Sequence, residues 1–135
     1  MKAEELMIGD WARVNHDGLC IKKGTIVVIG GIDADNSLAK RGLIGSAHCR
    51  PLDDDQFEGG IWCEYLEPIP LTTEILKKNG FANLTGHTWW YKDFHISLSD
   101  AKDLTLICGR TIQFSFVHEL QHALRLCGIE KEITI

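Results

Sequence analysis

The chain has 135 residues and a mass of 15.2 kDa, with 44% hydrophobic and 24% charged residues. This is the size of one ordinary domain or of two very small ones, and the composition is that of a folded protein, which excludes multi-domain machinery, disordered tails and coiled coils. The 14 basic and 19 acidic residues give a net charge of −5. Residues 1–70 hold 12 acidic and 7 basic side chains, so they carry the whole excess. A general DNA or RNA binder is disfavoured, because nucleic-acid affinity depends on neutralising phosphates.

Five cysteines are spread along the chain without any C-x-x-C pair, and the segment MKAEELMIGD contains no apolar stretch of signal-peptide length. Dispersed cysteines in odd number are typical of the reduced cytoplasm, where each is expected to act as a small buried hydrophobic residue. No run approaches the roughly eighteen apolar residues that span a bilayer. We therefore expect a cytoplasmic protein without a membrane span.

The first half of the chain is predicted to be rich in strands. Short runs of β-branched and aromatic residues indicate strands at residues 8–14, 25–29, 43–47 and 61–66, with turn formers between them. Glu58-Gly59-Gly60 is assigned to one of these turns. Strands at this spacing predict a small curled antiparallel sheet or an SH3-like barrel, which buries one face by closing on itself.

The second half is predicted to combine helix and strand. Pro68 and Pro70 remove amide donors and mark the boundary, so the chain divides into residues 1–67 and 68–135. Thr72 is the predicted N-cap of a two-turn helix that ends at Asn79-Gly80. Because each half is small and the connector is short, we expect the two halves to form one cooperative unit.

Further along, the period of the apolar residues changes twice. Alternation between residues 90 and 98 predicts one half-buried strand, and residues 104–108 and 111–114 predict two more. The apolar stripe from Val117 to Cys127 predicts a helix that Gly128 ends, and the alternating residues 129–135 predict a last strand. The predicted fold class is therefore α+β.

His118-Glu119-Leu120-Gln121-His122 matches H-E-x-x-H, a pattern that carries a chemical mechanism. On a helix the two histidines project from one face at a spacing suited to one zinc ion, and in zinc peptidases the glutamate beside them activates the metal-bound water. One hypothesis is therefore a zinc-dependent hydrolase with His118 and His122 as metal ligands and Glu119 as the catalytic base.

The same segment also has a structural interpretation. A catalytic zinc needs a third protein ligand, and the candidates are Glu130 and Glu132 downstream or His87 and His95 upstream. The metzincin continuation of the pattern is absent. Leu120 belongs to the apolar stripe of the helix, and we expect the four polar residues to form its polar flank, with the Glu119 side chain facing solvent.

Three motifs occur in order along the chain. The first is LMIGDW at residues 6–11, the second is the pair LEPIPLT (66–72) and ILKKNGF (75–81), and the third is VHELQ at 117–121. They resemble a family of short, uncharacterised bacterial proteins that are often encoded near phage or mobile-element genes. In that family the segment that matches residues 118–122 usually reads His-Gln-Leu-Gln-Asn, so Glu119 and His122 depart from it. The resemblance therefore implies a family that is not built around a zinc site.

The leading functional hypothesis is a non-enzymatic interaction module without a cofactor, which binds a protein partner through exposed aromatic residues. The candidates are Trp89, Trp90 and Tyr91, although two adjacent tryptophans on a strand would place one inward and one outward. A third hypothesis is nucleic-acid binding, since Gly9-Asp10-Trp11 followed by the run GTIVVI at residues 24–29 resembles the opening of SH3-like translation and transcription domains. The acidic first half argues against this third hypothesis.

Overall fold

The chain separates into two compact units, Met1–Ile69 and Pro70–Ile135. The computed structural model describes residues 1–17, 20–33, 45–54, 58–83, 88–91, 94–98, 104–106 and 115–135. The strands of the first unit are β1 (Trp11–Val14), β2 (Ile26–Asp33), β3 (Ser46–Pro51), β4 (Gly59–Trp62) and β5 (Leu66–Pro68). They form one sheet in the order β4-β3-β2-β1-β5, in which all neighbours are antiparallel.

This first sheet is curled but is not closed into a barrel by its described strands, because β4 and β5 are its two outer strands. A 3-10 helix, Cys63–Tyr65, joins these outer strands directly. In a flat sheet they would lie four strand spacings of about 4.8 Å apart, whereas three residues of 3-10 helix rise only about 6 Å. The sheet must therefore curl, and the register shift between Ile29 and Gly31 gives β2 a bulge at which it can bend.

The concave side of this sheet forms the core of the first unit. Burial alternates along β1 and β3, as expected for strands with one face covered. The buried apolar residues of this core are Leu6, Ala12, Val14, Ile21, Val27, Ile29, Ala47, Cys49, Ile61, Cys63 and Leu66.

The sequence indicates four strands in the first half, whereas the structure has five, and their limits differ from the predicted ones. β1 begins only at Trp11, because Gly9 has φ of 87° and lies in a turn in which the Asp10 N–H donates to the Met7 carbonyl at 3.1 Å. Ile8 lies in this turn and is 67% exposed. The predicted strand 61–66 is in fact two strands separated by the 3-10 helix, and the predicted turn at Gly59-Gly60 is part of β4.

The second unit combines two helices with a second antiparallel sheet, so the α+β class is confirmed. The helices are α1 (Thr73–Lys78) and α2 (Val117–Leu126). The strands are β6 (Ala82–Asn83), β7 (Thr88–Tyr91), β8 (Phe94–Leu98) and β9 (Leu104–Leu106), in the order β6-β7-β8-β9. The single strand predicted for residues 90–98 is in fact two antiparallel strands, β7 and β8, in which Tyr91 pairs with Phe94. The strand predicted at residues 111–114 lies outside the described residues.

Both predicted helices are confirmed, together with the signals that end them. The Thr72 hydroxyl accepts a hydrogen bond from the Ile75 N–H at 3.3 Å, and Gly80 and Gly128 adopt φ of 73° and 68° after the helices. The apolar stripe of α2 ends at Leu124, because Cys127 is exposed. The buried apolar residues of this unit are Ile75, Leu76, Phe81, Trp89, Val117, Leu120, Ala123, Leu124 and Ile133.

The segment after Gly128 is not the strand that the alternating isoleucines predict. Ile133 is buried, but the backbone of Thr134 bonds to a side chain and not to a strand. The Thr134 N–H donates to Asn79 Oδ1 at 2.7 Å, and Asn79 Nδ2 donates to the Thr134 carbonyl at 2.6 Å. Asn79 Nδ2 also donates to the Ile75 carbonyl at 2.7 Å. One buried amide therefore performs the role that a neighbouring strand would have performed.

Candidate functional site

The H-E-x-x-H segment forms the first half of α2, and its glutamate closes the start of that helix. Glu119 Oε2 accepts hydrogen bonds from the Ser115 N–H at 2.6 Å and the Phe116 N–H at 3.0 Å. Phe116 is the N-cap residue, so Glu119 is the third residue of the helix and binds back to the cap. The expectation that the Glu119 side chain faces solvent is wrong: it is half-buried, and its carboxylate binds two backbone amides.

The two histidines are neighbours on α2, as their spacing predicts. Their ring centroids lie 5.7 Å apart in an edge-to-face arrangement, and the His118 ring is stacked on Phe116 at 5.9 Å. His118 and Gln121 are only 6% and 5% exposed, which corrects the expectation that they lie on a polar flank. The buried surface of α2 therefore extends beyond its apolar stripe.

The geometry brings together two candidate zinc ligands. In the part of the chain that the structure describes, no group of three or more His, Cys, Asp or Glu side chains is arranged to hold a metal ion. Glu130 and Glu132 are exposed in the segment that follows α2, and His87 lies outside the described residues. Among the described residues, His118 and His122 are therefore two of the three protein ligands that a catalytic zinc needs.

The three aromatic candidates on β7 fall into different environments. Trp89 is 1% exposed and is therefore a core residue, not the exposed contact that was expected, and its Nε1 has no hydrogen-bond partner among the described residues. Trp90 and Tyr91 are half-buried. The Tyr91 ring lies 5.2 Å from that of Phe81, and the Lys131 ammonium lies 4.4 Å above its centre.

The cysteines also divide by environment. Cys49 and Cys63 are buried, as expected, whereas Cys20 and Cys127 are exposed, and Cys108 lies outside the described residues. Burial raises the pKa of the Cys49 thiol to about 12, with a further contribution from the nearby Cys63, and burial also raises the pKa of Cys63. These two thiols remain protonated at neutral pH and are poor nucleophiles.

Asp10 is a buried carboxylate that the sequence motifs contain but do not explain. Asp10 has 0% exposure, and its Oδ2 accepts a hydrogen bond from the Met7 N–H at 2.7 Å. The same residue also accepts the Ile29 N–H at its carbonyl. The signal in the sequence was the aspartate beside Gly9, because Asp side chains often close turns by hydrogen bonds to nearby backbone. Asp10 therefore has a structural role at the entry to β1.

Within the described residues, no helix has both the length and the apolar character needed to cross a membrane. No protein-family model matches the chain, and no curated protein or solved structure is significantly similar to it.

Proposed function

We propose that the protein is a non-enzymatic interaction module of phage or mobile-element origin that binds another protein in the cytoplasm. The observation that carries this proposal is the position of Glu119, whose carboxylate accepts two backbone N–H groups at the start of α2. A general base must reach the water that it activates, and a carboxylate bound to its own helix start is held away from that task. The H-E-x-x-H segment then acts as a helix start and part of a core.

We also propose that the first unit is SH3-like. Its support is the connection between the two outer strands, β4 and β5, by the single 3-10 helix Cys63–Tyr65, which requires the sheet to curl almost back on itself. A small curled sheet of this kind presents short strands and loops at its rim. Such rims are common sites for protein recognition.

Within the second unit, the proposed contact residue is Trp90, together with the adjacent Tyr91. Both are half-buried on β7, so each keeps part of its ring surface accessible. Large aromatic side chains of this kind dominate the energetics of protein interfaces, because they bury much area with little loss of conformational freedom. Trp89 is excluded from this role because its side chain is buried.

Site-specific photo-crosslinking tests the contact. A photoreactive phenylalanine derivative placed at position 90 in the native host is expected to give a discrete crosslinked species after irradiation. The matched control carries the same group at Lys77, which is exposed on α1. If position 90 gave no more crosslinked product than position 77, Trp90 would not be a contact residue.

Zinc analysis tests the non-enzymatic part of the proposal. After equilibration with zinc and extensive dialysis, the purified protein is expected to retain much less than one equivalent, because two imidazoles form only a weak site. The result that would replace our proposal is one tightly held zinc per chain, lost in His122→Ala, together with a hydrolytic activity that Glu119→Gln abolishes while zinc remains bound.

A further inference from the structure

The two outer edges of the first sheet differ in how well they are protected. The Asn15 N–H donates to the Tyr65 carbonyl, and hydrogen-bonded pairs alternate along an antiparallel ladder. The backbone groups of Tyr65 and Glu67 therefore point toward β1. The outward groups therefore belong to Leu66 and Pro68. The Leu66 carbonyl accepts the amino group of Met1 at 2.7 Å, the Leu66 N–H donates within the 3-10 helix, and Pro68 has no N–H. This edge therefore offers no N–H group to a further strand.

The described residues give the edge of β4 no such protection. The Cys63 N–H donates to the Gly45 carbonyl, which fixes the alternation of hydrogen-bonded pairs between β3 and β4. Gly59 and Ile61 therefore bond to β3, whereas Gly60 and Trp62 direct their backbone groups away from the sheet. The Trp62 carbonyl begins the 3-10 helix, so three outward groups remain: the Gly60 N–H, the Gly60 carbonyl and the Trp62 N–H.

None of these three groups has a hydrogen-bond partner among the described residues. Gly60 is exposed, and a methyl group at its α-carbon would meet no atom within 4 Å. Natural sheets usually protect an outer strand with proline, lysine or a bulge, and β4 contains none of these. An accessible, unprotected edge of this kind is suited to receive a further strand.

We propose that the outer edge of β4 binds an extended, basic segment of a partner protein, which is added to the sheet as a sixth strand. The charge around β4 selects this occupant. Described residues 45–54 and 58–66 contain four acidic side chains and one basic side chain, namely Asp53, Asp54, Glu58, Glu64 and Arg50. A second copy of the chain is disfavoured, because edge-to-edge pairing would bring the eight carboxylates of two copies together with only two guanidinium groups.

The backbone groups set the register of the bound segment, and Trp62 supplies an apolar contact. Its side chain is half-buried beside the outward N–H of the same residue. A residue opposite Gly60 would form two hydrogen bonds, and a residue opposite Trp62 would form one. We therefore expect the bound segment to have β-branched or aromatic residues at its centre and Lys or Arg at its ends.

This inference rests on the proposed binding function, but it concerns the other unit and can fail independently of the crosslinking at position 90. The variant Gly60→Pro removes the outward N–H without removing any bond to β3, and proline drives the preceding Gly59 toward the extended conformation that it already has. Gly60→Ala is the matched control, because it adds a methyl group and keeps the N–H.

The probe is a library of acetylated hexapeptide amides with Lys at both ends and four central residues drawn from Val, Ile, Thr and Tyr. A second library has Glu at both ends. We expect the wild type and Gly60→Ala to bind selected Lys-flanked peptides with similar Kd, and Gly60→Pro to bind the same peptides at least about tenfold more weakly.

A third measurement keeps the test valid if Gly60→Pro fails to fold. N-methylation of alternate residues blocks one edge of the peptide, so one of the two methylation patterns is expected to abolish binding to the wild type while the other preserves it. The proposal is overturned if no Lys-flanked peptide binds better than its Glu-flanked counterpart, if folded Gly60→Pro binds as well as Gly60→Ala, or if neither methylation pattern affects binding.

Discussion

Glu119 is the residue at which a structural role and a catalytic role can be separated by measurement. Glu119→Ala removes the acceptor of the Ser115 and Phe116 N–H groups, and we expect it to lower the free energy of unfolding by about 1 kcal/mol. Glu119→Gln keeps an acceptor oxygen, so its effect should be less than about half as large. Urea denaturation of the variants measures both values.

Glu130→Ala serves as the control for this pair. Glu130 is exposed in the segment after α2, and its replacement is expected to change the free energy of unfolding by less than about 0.5 kcal/mol. Equal stability of wild type and Glu119→Ala would show that the carboxylate does not stabilise the helix start.

Cys49 gives the folded state a dependence on alkaline pH. Its pKa rises from the ordinary 9.0 to about 12 in the folded chain, mainly through burial. Above pH 9 the unfolded chain releases this proton while the folded chain keeps it, so the free energy of unfolding falls as pH rises toward 12, by at most about 1.4 kcal/mol per pH unit. Below pH 9 the thiol is protonated in both states and contributes no slope.

Comparison of variants isolates this contribution from other groups that titrate at alkaline pH. Urea denaturation between pH 8 and pH 11 is expected to show that the free energy of unfolding declines less steeply with pH in Cys49→Ala than in the wild type. This comparison of slopes holds even if the two proteins differ in stability at pH 8. Cys20→Ala, at an exposed cysteine, should keep the wild-type slope. A Cys49→Ala slope equal to that of the wild type would contradict the raised pKa.

At the scale of elements, Asn79 determines the position of the C-terminal segment. Asn79→Ala would leave the N–H and carbonyl of Thr134 without their partners, and we expect a loss of about 2 kcal/mol in unfolding free energy. Hydrogen exchange of the Thr134 amide should accelerate. Lys78→Ala is the control, because its ammonium binds the Ile135 carbonyl at an exposed position and should contribute little. Unchanged exchange at Thr134 in Asn79→Ala would refute this role.

Helix ends could be predicted from the sequence because their chemistry is local. The Thr72 hydroxyl accepts a hydrogen bond from the N–H of Ile75, three positions later. Gly80 adopts a positive φ, which is possible because glycine has no side chain. The pairing of His118 with His122 was predicted for the same reason, since four residues complete about one helical turn. The cap formed by Glu119 was missed because Phe116, the residue at the N-cap, cannot accept a hydrogen bond through its side chain.

Strand limits depend on distant partners and were predicted less well. The alternation from Trp90 to Leu98 is the same in one continuous strand and in two antiparallel strands, so the period gives no sign that β7 and β8 are separate. The alternating isoleucines after Gly128 predicted a strand, but the partner at Thr134 is the side chain of Asn79, which no local pattern specifies. The break between β4 and β5 likewise follows from the curl of the whole sheet.

For the whole molecule, the charge distribution predicts weak binding to duplex DNA. Residues 1–70, which include the curled sheet, contain 12 acidic and 7 basic side chains, so phosphates approaching this half meet a net charge of the same sign. A fluorescence titration at physiological salt is expected to show at most weak association. Salt-sensitive binding below about 1 µM would instead favour a nucleic-acid-binding function.

The size of the two units predicts how the whole chain unfolds. The boundary between them falls after Ile69, one residue beyond β5, and the Ile69 side chain is 1% exposed. A connection this short, with a buried side chain, cannot act as a free linker. A unit of about 60 residues buries only about 60% of the surface that its unfolded chain exposes, so it is marginally stable alone. We therefore expect a single unfolding transition.

Hydrogen exchange in increasing urea measures the transition in each unit separately. The amides of Val27 and Ile29 report on the first unit, and those of Leu120 and Leu124 report on the second, because all four residues are buried. The four amides are expected to lose protection at one common urea concentration, since a unit of this size is marginally stable alone. Two separate midpoints, or a stable folded fragment of residues 1–67 after limited proteolysis, would show that the first unit folds by itself.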